Sequence, residues 1–169
     1  KTLGIIGAGT IGKEVIKIAK VLGMNILVYT RTPREEEENV HYTDLETVLK
    51  NSDYVSLHCP LTPATRHLIN ADTLVLMKPT AFLINTSRGA LIDEPALIKA
   101  LQEHKIAGAG LDVQETEPPV EDNPLYTLDN VILTPHMGWK GLETRQRLLS
   151  ILKGNIDGFI NGKPVNVVS

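Results

Sequence analysis

The sequence predicts an α/β domain built on a doubly wound parallel sheet, and three observations carry that prediction. Its apolar runs are short and do not alternate cleanly, which suits strands buried on both faces. Stretches with helical spacing separate these runs, so strands and helices take turns along the chain. A glycine-rich turn joins the first strand to the first helix.

In chain order, Leu3-Gly4-Ile5-Ile6 reads as the first strand. Ile11, Val15, Ile18, Ala19 and Leu22 recur at helical spacing after it, and Gly23 marks the stop. Ile26-Leu27-Val28-Tyr29 is the second strand, followed by the acidic run Glu35-Glu36-Glu37-Glu38, read as a solvated segment. Asp44 is placed to cap a short helix towards Lys50. Tyr54-Val55-Ser56-Leu57 and Phe82-Leu83-Ile84 read as strands. Asp93-Glu94-Pro95 opens a helix carrying Leu97, Ile98 and Leu101, with Asp93 as N-cap. Gly110-Leu111-Asp112-Val113 and Val131-Ile132-Leu133 are the last strands, and Leu142 to Ile160 is a longer final helix.

The 169 residues fit one domain, with 17 Lys+Arg against 20 Asp+Glu and a net charge of −3. At 42% hydrophobic the chain can bury a core, which argues against general disorder. Mild acidity offers no electrostatic footprint for nucleic acid. The apolar runs fall far short of the roughly 20 residues that a membrane helix needs. A lone cysteine, Cys59, supports neither a disulfide framework nor a zinc-cysteine cluster, and no metal is expected. With no signal peptide before the first strand, a cytoplasmic setting is expected. The chain enters that strand at Lys1-Thr2-Leu3, as expected for a piece of a longer protein.

Gly7-Ala8-Gly9-Thr10-Ile11-Gly12 matches G-x-G-x-x-G, placed directly after a strand and opening a helix. Gly7 permits the tight turn, Gly9 lets backbone N–H groups approach a pyrophosphate, and Gly12 lets helix and strand pack closely. The helix N-terminus then presents unpaired N–H donors and a partial positive charge. These features point to a Rossmann-type dinucleotide-binding domain. An acidic residue at the end of the second strand would bind the ribose 2′-hydroxyl. The chain has Thr30-Arg31-Thr32-Pro33-Arg34 there instead. Thr30, Arg31 and Arg34 suit a 2′-phosphate, favouring NADP over NAD. The bland alternative has both arginines pairing with Glu35 to Glu38 at the surface.

Three later segments just past strand ends carry residues fit for chemistry: Asn85 to Ala90, Asp112 to Pro119 and Leu133 to Trp139. Arg88, Glu117 and His136 make a coherent set for reducing a 2-keto acid. A guanidinium grips a carboxylate and polarises the neighbouring carbonyl. A histidine gives the proton that the new alkoxide needs. A buried glutamate hydrogen-bonded to that histidine raises its pKa and holds the ring. Taken singly, these residues are a surface ion pair, a loop carboxylate and a core histidine; their order after a dinucleotide fingerprint makes the set.

With these motifs in order, the chain resembles the cofactor domain of the D-isomer-specific 2-hydroxyacid dehydrogenases from Lys1 to Val168. The likeness rests on Gly4 to Gly12, Leu57 to Asn70, Ile84 to Gly89, Gly110 to Val113 with Glu117-Pro118, and Leu133 to His136. The resemblance implies that Arg88, Glu117 and His136 are catalytic. It further implies that Thr10 and Ile11 touch the pyrophosphate and that Cys59 and Pro60 line the adenine side, with Thr65 among the cofactor contacts. Thr86, Asp112 and Gly138, with Arg88 and His136, would lie around the nicotinamide. Cys59 is also consistent with an inert buried thiol. Thr30 stands where NAD-using members usually carry Asp. Glu117 argues against the related formate dehydrogenases, which carry glutamine there.

His136 to Trp139 and the closing stretch Asn155 to Val168 look most like the glycerate dehydrogenase and hydroxypyruvate reductase members. Trp139 suits either a substrate-cleft border or an interface. The resemblance implies residues 1–169 as an NAD(P)-binding domain with the C-terminal tail, and a substrate-binding domain largely outside this chain. It also implies a homodimer and a small 2-keto or 2-hydroxy acid, such as hydroxypyruvate or glyoxylate, as substrate, with a fragment that alone is weakly active or inactive. The competing expectation is a non-enzymatic, dinucleotide-sensing corepressor, since such proteins keep similar catalytic residues. A generic nucleotide-binding domain would leave the three later motifs unexplained.

Overall fold

The computed structural model describes residues 1–32 and 38–167, so Arg34 and Glu35 to Glu37 lie outside the described residues, as does Val168. The chain divides into two units, Lys1–Pro135 and His136–Ser169, each described by itself.

The first unit holds seven strands: β1 (Thr2–Ile6), β2 (Asn25–Tyr29), β3 (Val40–Tyr42), β4 (Tyr54–Leu57), β5 (Phe82–Asn85), β6 (Gly108–Leu111) and β7 (Val131–Leu133). They form one sheet in the order β3-β2-β1-β4-β5-β6-β7, with every neighbouring pair parallel. The chain runs outwards from β1 in both directions, which makes the sheet doubly wound and places the switch point between β1 and β4. The helices are α1 (Thr10–Val21), α2 (Leu45–Asn51), α3 (Ala71–Leu74) and α4 (Glu94–Gln102).

Two apolar clusters explain the non-alternating strands. Ile5, Ile26 and Val28 pack with Ile16 and Ala19 of α1 in one cluster. Ile6, Val55, Leu57 and Leu83 pack with Val48, Leu97 and Leu101 of α2 and α4 in the other. Consecutive residues such as Ile5 and Ile6 thus join different clusters, and each is fully shielded from water. Each such side chain stabilises the fold by about 1.5–3 kcal/mol.

Local signals set the helix starts. Asp44 caps α2 by accepting the Thr47 amide at 2.8 Å, and Asp93 caps α4 by accepting the Ala96 amide at 3.3 Å. Gly23 follows α1 in the left-handed region, φ +69°.

Three expectations need correction. The buried side of α1 is Gly12, Ile16 and Ala19, whereas Ile11, Ile18 and Leu22 are exposed. The close approach at Gly12 selects the stripe that meets the sheet. The sixth strand is Gly108–Leu111, two residues earlier than expected, so Asp112 and Val113 follow the strand. The three-residue strand β3, pairing with β2, was not foreseen.

The second unit holds α5 (Leu142–Ile160), with the expected bounds and no buried residue. His136 takes a left-handed backbone, φ +48°, and its carbonyl accepts the Trp139 indole N–H at 3.1 Å. The Arg145 guanidinium lies 5.9 Å from the centre of the Trp139 ring, a cation–π contact within this unit.

Candidate functional site

The carboxyl ends of six strands fall in one register row. Ile6 pairs with both Tyr29 and Leu57, Leu57 with Asn85, Asn85 with Leu111, and Leu111 with Leu133. The next residue in each case is Gly7, Thr30, His58, Thr86, Asp112 or Thr134. The sheet therefore delivers the glycine turn, the 2′-phosphate candidates and the Arg88 and Glu117 segments to one edge.

At the switch point the Gly7 N–H donates to the Tyr29 carbonyl at 2.8 Å, and the His58 N–H donates to the Ile6 carbonyl at 2.7 Å. Gly7 has φ +100°, and a Cβ on it would stand 2.7 Å from the Cys59 nitrogen. Gly9 is the N-cap of α1 and brings no side chain to its amides; a Cβ there would meet nothing within 4 Å. No acidic residue occupies the first turn. This is a cradle of free N–H donors with room for a phosphate, and it fits a dinucleotide.

A groove of about 580 Å³ opens beside the turn. Of the residues expected at the cofactor, Gly7, Gly9, Thr30 and Arg31 line it on the β1 and β2 side. Cys59, Pro60 and Thr65 line it on the β4 side. Thr10, Ile11 and Gly12 form the first turn of α1 next to it, with Thr10 and Ile11 exposed. The wall also includes His58, Thr62 and Leu68, which the sequence reading did not assign to the site. His58 directly follows a strand end, and that position was the available signal. It shares a hydrogen bond with Ser56 Oγ at 2.9 Å, and burial pushes its pKa down. Burial also pushes the Cys59 thiol up, away from the reactive thiolate.

The Arg88 turn is built by Asn85, which is fully buried. Its amide donates to the Arg88 carbonyl at 2.9 Å, and its Oδ1 accepts the Ser87 amide at 3.0 Å. The Arg88 guanidinium is exposed and donates to the Ser87 carbonyl at 2.7 Å. Gly89 packs so tightly on the loop after β6 that a Cβ would stand 1.9 Å from the Gln114 carbonyl oxygen. That contact brings the Arg88 turn against the loop carrying Glu117. Thr86 is exposed at the same edge, and the neighbouring Asp112 is buried and accepts the Thr134 hydroxyl.

Glu117 accepts the Gln114 amide at 3.1 Å, and its peptide bond to Pro118 is cis. It is exposed rather than buried, because it lies six residues past the end of β6 at the tip of its loop. His136 and Gly138 belong to the second unit, and Arg34 lies outside the described residues.

The sequence profile described as "D-isomer specific 2-hydroxyacid dehydrogenase, NAD binding domain" matches residues 1–138. A hydroxypyruvate reductase of Blautia hydrogenotrophica is 46% identical over 100% of this chain and 53% of its own length. A glyoxylate reductase of Thermococcus litoralis is 50% identical over 100% of this chain and 52% of its own length. The chain thus spans about half the length of these curated relatives. Among solved structures, a D-lactate dehydrogenase with NAD+ from Lactobacillus jensenii matches with TM-score 0.93 and 37% identity, over 100% of this chain and 56% of that one. An acyclic imino acid reductase in complex with NADPH and D-Arg matches with TM-score 0.92 and 40% identity, over 100% of this chain and 54% of that one.

Proposed function

Because the chain belongs to the D-isomer-specific 2-hydroxyacid dehydrogenases through their NAD-binding domain, we propose that the whole protein is an oxidoreductase of small 2-keto acids. Hydroxypyruvate is reduced to its D-2-hydroxy acid, or glyoxylate to the achiral glycolate, reversibly. The observation that carries this reading is the shared register row, which sets the phosphate cradle and the Arg88 and Glu117 segments along one edge. The names of the two curated relatives support the same substrate class.

Arg88 takes the substrate carboxylate in its fork and polarises the adjacent carbonyl. In this reading His136 gives the proton to the developing alkoxide, with Glu117 as its partner in the family's catalytic set. The Gln114 N–H donates to the Glu117 carboxylate at 3.1 Å and helps fix where it stands. A bound nicotinamide dinucleotide supplies the hydride. Gly7, Gly9, Thr10, Ile11 and Gly12 hold its pyrophosphate, and Cys59, Pro60 and Thr65 its adenine side. Thr86 and Asp112 would lie around the nicotinamide, and the family resemblance assigns Gly138 to the same group.

NADP is preferred to NAD in this reading. Thr30 and Arg31 line the groove where a carboxylate would repel a 2′-phosphate, and the NADPH complex of a structural neighbour is consistent with that choice. Residues 1–169 act as the cofactor domain with the tail, and a substrate domain comes from chain beyond them; the relatives' doubled length supports this. The working form is a homodimer, as the family resemblance suggests. A single free cysteine supports a cytoplasmic setting. No helix among the described residues is long and apolar enough to cross a membrane.

The test is cofactor oxidation by the full-length protein with hydroxypyruvate, NADPH against NADH, wild type against His136→Ala. The expected result is turnover that prefers NADPH and collapses in the variant. Turnover with NADH alone would remove the NADP preference, and cofactor binding without turnover on any small 2-keto acid would overturn the enzyme reading.

A further inference from the structure

Outside the residues assigned above, one polar cluster joins three segments of the site. Glu115 Oε1 accepts from His67 Nε2 at 2.6 Å and from the Arg66 guanidinium at 3.0 Å. Its other oxygen accepts the Glu94 amide at 3.4 Å, and the Glu115 amide donates to Glu94 Oε2 at 2.9 Å. Asn123 bridges Glu94 Oε1 and Gln114 Oε1 at 2.7 and 3.0 Å. Two carboxylates are thereby held side by side, and the Arg66 guanidinium and the His67 ring face Glu115. Burial pushes the Glu115 carboxyl up, but the His67 hydrogen bond, the Glu94 amide and the charges of His67 and Arg66 outweigh that and hold it below the usual carboxylate range.

His67 reaches two further parts of the site. Its amide donates to the Ala90 carbonyl at 2.9 Å, two residues past Arg88, and the Ile69 amide extends this pairing to Leu91 at 3.0 Å. Its neighbours Thr65 and Leu68 line the cofactor groove. His67 sits in the left-handed region, φ +50°, a backbone that L side chains rarely adopt. On the far side, Glu115 sits between Gln114, which meets Gly89, and Glu117, which accepts the Gln114 amide.

We propose that His67, Arg66 and Glu115 are positioning residues that tie the cofactor-groove wall to both the Arg88 turn and the Glu117 loop. The pairing sets where Glu117 stands when the groove is filled. This rests on the catalytic reading of Arg88 and Glu117.

The test uses the full-length protein with Glu115→Gln, Glu115→Ala, His67→Asn and Arg66→Lys. Asparagine tolerates the left-handed backbone at position 67 but cannot reach Glu115. Glutamine at position 115 keeps the size and an acceptor oxygen but removes the charge, so it decides the matter if the alanine variant fails to fold. The expected result is a kcat for hydroxypyruvate reduced about tenfold or more in Glu115→Gln and His67→Asn, as for a misplaced catalytic group. The KM for NADPH stays within about twofold, the pH profile of kcat shifts, and Arg66→Lys keeps most of the activity. Hydrogen exchange of residues 112–117 with NADPH bound quickens in the same variants. A purely structural role would lower thermal stability and leave the pH profile of kcat in place, and that result overturns the proposal. If the wild type reduces no 2-keto acid, the functional reading fails, and exchange at 112–117 alone decides the positioning role: unchanged exchange overturns it, faster exchange sustains it.

Discussion

A Cβ placed on Gly12 would stand 2.1 Å from the carbonyl oxygen of Gly7. The first turn of α1 and the end of β1 therefore touch through backbone alone. Gly12→Ala must push helix from strand, and it is expected to lower the melting temperature and abolish NADPH binding together. Gly9→Ala meets nothing within 4 Å, so it should leave the melting temperature nearly unchanged. Its methyl group would occupy the phosphate room, and the Kd for NADPH should rise about tenfold or more, a loss of about 1.4 kcal/mol. Thermal melts and fluorescence titration of the two variants separate fold from binding.

Arg31 bears on the choice of cofactor. Arg31→Ala should raise the KM for NADPH about tenfold and leave that for NADH within about twofold, because only the 2′-phosphate loses a charged partner. Thr30→Asp should go further and reverse the preference by like-charge repulsion. Equal effects on both cofactors would show that neither residue reads the 2′ position.

Cys59 reports on groove occupancy. Burial pushes its thiol pKa up, so alkylation by iodoacetamide at neutral pH should be slow in the free protein. Saturating NADPH or ADP should slow it further, by about fivefold or more, since Cys59 lines the wall. Unchanged labelling would place the nucleotide elsewhere.

Asp53 ties the opposite edge of the sheet together. It accepts the Thr2 amide at 2.8 Å and the Lys78 ammonium at 3.2 Å. The Thr2 hydrogen bond first, and then Lys78 with Lys1, hold its carboxyl below the usual range against the opposing effect of burial. Its folded pKa is thus below its unfolded value of about 3.9, so its stabilisation is fully present above that value and fades as pH falls through the folded one. Asp53→Asn should cost about 1 kcal/mol at neutral pH. Urea denaturation of the full-length protein should show the gap closing as the pH drops below about 4.

The glycine turn was legible because its spacing is local: Gly12 answers to the carbonyl of Gly7 within the same motif, although the crowding at Gly7 itself comes from His58 and Cys59. The caps at Asp44 and Asp93 were legible for the same reason. The buried side of α1 was not, because Ile11, Ile18 and Leu22 are as apolar as Ile16, and only the sheet decides which stripe is covered. Strand β3 has three residues, too few for a period to register. At the proposed site, the strand-end rule pointed to the segments that carry Thr30, Thr86 and Asp112, and these positions do follow the register row. It could not find the bond between His67 and Glu115, which joins residues 48 apart in sequence. Nothing local in either segment names the other.

The single row from Tyr29 through Ile6, Leu57, Asn85 and Leu111 to Leu133 also governs which changes in chain length the protein can absorb. An inserted or deleted residue inside any of these strands would slide its terminal group out of line and turn its side chains to the wrong face. The connections at the other edge, such as those after α1 and α4, do not feed the row directly. Insertions there leave the alignment of the functional edge intact. Length variation among relatives should therefore gather at that far edge and in the loops beyond the row, with the strands themselves held to fixed length.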